Sequence, residues 1–70
     1  MAQLNIGDIK VGYRFKTLDV DDYKWYLTEI IEVKSNEFKV KDIDSRSIWQ
    51  GMEWEITNEE ITDTTLYKSL

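Results

Sequence analysis

Seventy residues, 41% of them hydrophobic and 33% charged, predict one folded, soluble domain and leave no room for a second. The absence of Cys and His removes disulfides, thiolate zinc sites and nearly every common nucleophile–base pair, so a non-catalytic protein without metal or cofactor is expected. A net charge of −5 opposes phosphate backbones, and no stretch approaches the roughly 20 apolar residues of a membrane span.

The opening "MAQLNIGDIKVG" has no long apolar run, which together with the missing Cys predicts a cytoplasmic protein. Residues 1–9 read as an N-terminal arm to a small β-barrel over 10–68, the whole of 1–70 being one domain. The dominant texture is β, with Val, Ile, Thr, Tyr, Trp and Phe at alternating positions. In the first strand, over 11–18, Tyr13, Phe15 and Thr17 share one face and Arg14 and Lys16 the other. Asp19 to Asp22 then make a polar connection, because short polar side chains favour turns.

The second strand spans 24–34. Trp25, Leu27, Ile31 and Val33 share one parity, while Tyr26, Thr28 and Ile30 occupy the other. A bulge or sharp bend near Thr28–Ile30 reconciles the two sets, since one extra residue switches the inward face. "KSNEF" supplies a hairpin turn, with Asn36 suited to a positive φ. The third strand, "EFKVKDI", points Phe38 and Val40 inward and Lys39 and Lys41 outward. "DSRS" turns the chain into a fourth strand over 47–56, where Ile48, Met52, Trp54 and Ile56 share one face opposite Trp49, Gly51, Glu53 and Glu55. Gly51 marks a bulge or a close backbone approach. "TNEEI" reads as one helical turn capped by Thr57 or Asn58, followed by a fifth short strand over 64–68 or, alternatively, a frayed helix.

The fold class is thus all-β: a five-stranded, strongly bent antiparallel sheet or barrel with one short helical turn before the last strand. In strand count, short hairpins, bent second strand and the "WEITNEEI" turn, the chain resembles the Tudor-like or Src-homology-3-like small barrels over residues 11–68. The resemblance is architectural. The proline-peptide readers of that superfamily carry a run such as "ALYDY" near their start, which this chain lacks, so none of their binding residues transfers to it.

Two acidic loops invite a comparison with calcium sites, and both fail it. Counting from Asp19, Tyr23, Lys24 and Ile30 fall where ligand, glycine and glutamate belong; counting from Asp42, an Arg46 stands among the ligands. Both loops read as solvated turns. Glu53 and Glu55, roughly 7 Å apart on one strand face, read as a solubilising face paired with Lys39 or Lys41 across the sheet.

The aromatics carry the functional expectation. Nine rings exceed what a 70-residue core holds. Phe15, Phe38 and Trp54 are the expected core, with Tyr13 and Leu27 beside them and Trp25 at one end; Tyr23, Tyr26, Trp49 and Tyr67 are left for the surface, with Trp49 alternatively covering the open barrel end or the second face of a curled sheet. Tyr23, Tyr26 and Trp49 are therefore the candidate partner-binding residues of a protein-binding module, either as hot spots or as a cage for a cationic side chain. An alternative is an acidic inhibitor, of mobile-element or counter-defence type, that covers a basic nucleic-acid site through Glu53, Glu55, Glu59, Glu60 and Asp63. A third reading, disfavoured by charge, is a weak nucleic-acid binder using Lys39, Lys41, Arg46 and Trp49. The expected partner is a protein rather than a membrane, and exposed strand edges allow a weak homodimer as well as a monomer.

Overall fold

The computed structural model describes residues 6–70 and places five antiparallel strands in one sheet. They are β1 (Arg14–Asp19), β2 (Lys24–Val33), β3 (Glu37–Asp42), β4 (Glu53–Thr57) and β5 (Tyr67–Ser69), in the order β4-β3-β2-β1-β5. Single 3-10 turns occupy Ile6–Asp8 and Glu60–Thr62. Of the expected N-terminal arm, residues 1–5 lie outside the described residues, while Ile9 is buried against the sheet. No helix among the described residues is long and apolar enough to cross a membrane.

Alternation in the sequence becomes burial on one face. Phe15 of β1, Ile30 of β2, Phe38 and Val40 of β3 and Ile56 of β4 form the core with Ile9 and Ile61, and Tyr13, Trp54 and Tyr67 pack against it. Tyr13 and Tyr67 flank Phe15, with ring centroids 6.3 and 6.0 Å away. Burial pushes the Tyr67 phenol above its ordinary pKa.

The bend in β2 lies one residue beyond its expected place. The β2–β3 register slips between Ile30 and Glu32, so Ile31 is the extra residue. Before it the even positions Thr28 and Ile30 face the core; after it Val33 stands opposite Phe38. Leu27 and Trp25 therefore lie on the opposite face from the core expected of them. Leu27 is half-buried there, and the Trp25 ring lies 4.1 Å beneath the Lys68 ammonium.

β4 begins at Glu53 rather than residue 47. Residues 48–51 form turns, leaving Ile48 87% exposed and Met52 half exposed instead of facing inward. Gly51 adopts φ +92°, and a Cβ built there meets nothing within 4 Å, so its role is the left-handed turn and not a close approach. Thr57 and Glu60 hold the second 3-10 turn through reciprocal hydrogen bonds: the Glu60 N–H donates to Thr57 Oγ1 at 3.0 Å, and the Thr57 N–H donates to Glu60 Oε1 at 2.9 Å. The tail is a strand, as preferred, but only over Tyr67–Ser69, where Tyr67 pairs with Thr17. Tyr67 is accordingly a core neighbour rather than a surface aromatic.

Candidate binding groove

Core packing stops short of one end of the sheet. There a polar row crosses three strands. Thr17 Oγ1 and Thr28 Oγ1 lie 2.8 Å apart, and Thr28 stands opposite Asp42 in the β2–β3 register. Above this row opens a groove of about 370 Å3. Its walls are Leu18 from β1, Val20 from the turn after it, Tyr26 from β2, and Trp49, Met52 and Trp54 from the other side. The groove is apolar in its walls and carboxylate-bearing at its floor and rim, where Asp42, Asp19 and Asp21 contribute.

One side is built by the loop from Asp42 to Gly51, which side chains hold to the sheet. Asp42, 6% exposed, accepts the Asp44 N–H on Oδ1 at 2.9 Å and the Ser47 hydroxyl on Oδ2 at 2.6 Å. Ser47 Oγ in turn accepts the Trp49 N–H at 3.0 Å. Asp44 reaches across the sheet, with Oδ2 accepting the Leu27 N–H at 2.9 Å and both carboxylate oxygens accepting from Arg46. The Arg46 hydrogen bonds, then those from its own backbone and from Leu27, hold the Asp44 carboxyl well below the usual range. This loop is thus a buried polar anchor, not the solvated turn its composition implied. The Asp42–Ser47–Trp49 chain fixes the backbone from which the indole projects. Ser47→Ala leaves a buried carboxylate oxygen without its donor and is expected to cost about 1–3 kcal/mol. Chemical denaturation measures this, and an unchanged midpoint would show that the anchor contributes nothing.

The facing wall comes from the β1–β2 turn. Its aspartates hold backbone: Asp19 Oδ1 accepts the Asp21 N–H at 2.8 Å, and Asp22 Oδ1 accepts the Lys24 N–H at 2.9 Å. The Tyr26 hydroxyl donates to Asp22 Oδ2 at 2.6 Å, which pushes the phenol up to about 12 and the Asp22 carboxyl down. The Arg46 guanidinium covers the same ring at 5.4 Å from its centroid. Tyr26 is therefore a fixed strut between the two loops.

Tyr23 is the last residue of this turn, 77% exposed, with φ +57°. The left-handed region costs a bulky side chain roughly 1–2 kcal/mol, and an exposed ring gives the fold little in return. Tyr23→Gly is expected to preserve the melting temperature or raise it, while weakening partner binding. A drop in stability would instead make Tyr23 a structural residue.

Among the expected site residues, then, Tyr26 and Trp49 meet in one groove, and Tyr23 ends the turn that walls it without lining it. Leu18, Val20, Met52, Trp54 and the polar row were not foreseen as part of it. The alternative surfaces lie elsewhere. Glu53 and Glu55 are on the opposite sheet face, where Glu53 is 3.6 Å from Lys39 and Glu55 pairs with Lys34. Glu59, Glu60 and Asp63 cluster around the second 3-10 turn. Lys39 and Lys41 share the outward face with those glutamates, away from Trp49, and Arg46 is committed to Asp44. Among the described residues no group of three or more acidic, His or Cys side chains is placed to hold a metal. No protein family, curated protein or solved structure matches this chain.

Proposed function

We propose that this chain is a non-catalytic protein-binding module of the cytoplasm, a small barrel of Tudor-like or Src-homology-3-like type, that docks its partner in the groove between the β1–β2 turn and the Asp42–Gly51 loop. The observation carrying this reading is the anchored loop. It holds Trp49 at 48% exposure and Met52 at 50% beside a pre-formed apolar groove. Rigid aromatic anchors beside a concavity contribute most of the energy of protein contacts. The strand order, the bulged second strand and the 3-10 turn before β5 support the small-barrel reading.

The acidic-inhibitor reading is weaker. Two of its five carboxylates are already neutralised by Lys34 and Lys39, and the remaining three form a separate cluster. The nucleic-acid reading suffers from the separation of its lysines from Trp49.

A photo-reactive residue at position 48, next in sequence to the groove-lining Trp49, is expected to cross-link to the partner, while one at the outward Lys16 is not. The complex should weaken little between about 50 and 500 mM salt, because a desolvated contact is screened far less than exposed charges. Cross-linking from position 16 alone, or loss of the complex at the high-salt end, would overturn the groove as the docking site.

A further inference from the structure

The floor of the groove holds a carboxyl that no cation among the described residues pairs with. Asp42 is 6% exposed, yet among the described residues its carboxylate receives two neutral donors, the Ser47 hydroxyl and the Asp44 N–H. It enters no ion pair among the described residues. The nearby Lys41 belongs to the opposite sheet face, and Arg46 is held by both Asp44 oxygens and by the Trp25 carbonyl. Each Asp42 oxygen retains room for a further hydrogen bond. The other ionisable groups lining the groove are the carboxylates of Asp19 and Asp21 and the Tyr26 phenol, and among the described residues no Lys or Arg lines it. Neither Asp19 nor Asp21 enters an ion pair among the described residues.

These facts select among occupants. A purely aliphatic side chain would strip the remaining water from Asp42 and put nothing in its place, which is costly for a carboxylate. An anion meets three carboxylates of its own sign, focused by low-dielectric walls. A cation on an apolar stem satisfies both parts: its stem lies along the walls, its head meets carboxylates, and the indole faces attract positive charge, the Tyr26 ring being covered already by Arg46.

Building on the docking groove above, we propose that the groove receives the side chain of a lysine or arginine from a basic polypeptide partner. The stem runs along Trp49, Met52 and Trp54, and the ammonium or guanidinium becomes the counter-ion of Asp42. Asp19 and Asp21 at the rim attract the same charge on approach. The pair so formed is enclosed, which keeps its salt dependence small.

The test uses the full chain, 15N-labelled, titrated with three blocked pentapeptides: Gly-Gly-Lys-Gly-Gly, its arginine analogue and its norleucine analogue. Norleucine keeps the stem and removes the charge. The lysine and arginine peptides are expected to bind at least about tenfold more tightly than the norleucine peptide. Their shift changes should centre on the indole N–H groups of Trp49 and Trp54 and the amides of Thr28 and Asp42. Asp42→Asn should erase the preference. If that variant does not fold, the comparison within the natural chain decides, with Asp21→Asn reducing the preference in part.

Equal or tighter binding of the norleucine peptide overturns the cationic occupant while leaving the groove a docking site. Shifts centred on Glu59, Glu60 and Asp63 overturn it too, by moving the cation elsewhere. No shift with any peptide overturns it as well, and the cross-link from position 48 then still judges the docking reading separately.

Discussion

Phe15→Ala is expected to abolish the cooperative folding transition or shift it far toward low denaturant. Phe15 is fully buried, Tyr13 stacks against it, Tyr67 meets its ring edge-on, and it stands in β1 opposite Thr28 of β2 and Ser69 of β5. Its removal opens a cavity where β1, β2 and β5 meet, and such truncations cost about 3–5 kcal/mol. A 70-residue domain holds roughly 4–10 kcal/mol in total, so the loss consumes much or all of it. Trp54→Ala should cost less, because Trp54 is half-buried and one side of its ring faces the groove. Urea titration followed by circular dichroism compares the two. A Phe15→Ala midpoint equal to that of the natural chain, or a larger loss from Trp54→Ala, would place the centre of the core elsewhere.

That ordering shows what alternation conveys and what it leaves out. Phe15, Phe38, Val40 and Ile56 follow from parity alone, since period-2 side-chain alternation is fixed by the strand backbone. Parity also placed Trp54 on the inner face, but not at the rim where the core ends. In β2 two competing sets of apolar residues left the choice open, and the bulge at Ile31 settled it for Thr28 and Ile30. Leu27 lost the core position because its neighbour Thr28 faces Phe15.

The misjudged start of β4 has a different cause. Ser47 to Met52 carries the residue types of a strand, but local side-chain hydrogen bonds hold its backbone in turns. Asp42 occupies an inward position, two residues after Val40, and a polar residue at such a position asks for partners. It finds Ser47 and Asp44, and Asp44 then needs the Leu27 amide 17 positions away. That last contact is long-range, and no local pattern of Asp, Ser and Arg announces it. The inward parity of Asp42 was the one signal available for the groove floor. With it, "DSRS" reads as a buried anchor and the aromatic loop as a platform.

Trp49→Ala tests that platform where its effect is largest. The substitution keeps the Trp49 N–H bond to Ser47, so the loop backbone retains its support, and the indole is about half exposed before it is removed. The melting transition should therefore move by no more than about 1 kcal/mol. Partner affinity should fall by 2 kcal/mol or more, about 30-fold, as for an aromatic anchor beside a desolvated pocket. Ile48→Ala is the matched control: at 87% exposure it neighbours Trp49 in sequence without lining the groove, and its truncation should change affinity only slightly. Calorimetric titration of the free partner, once the cross-link has identified it, against both variants separates the outcomes. Comparable losses from the two would mean the loop tip binds as a simple apolar knuckle, and a Trp49→Ala chain that unfolds would make the indole part of the core instead of the contact.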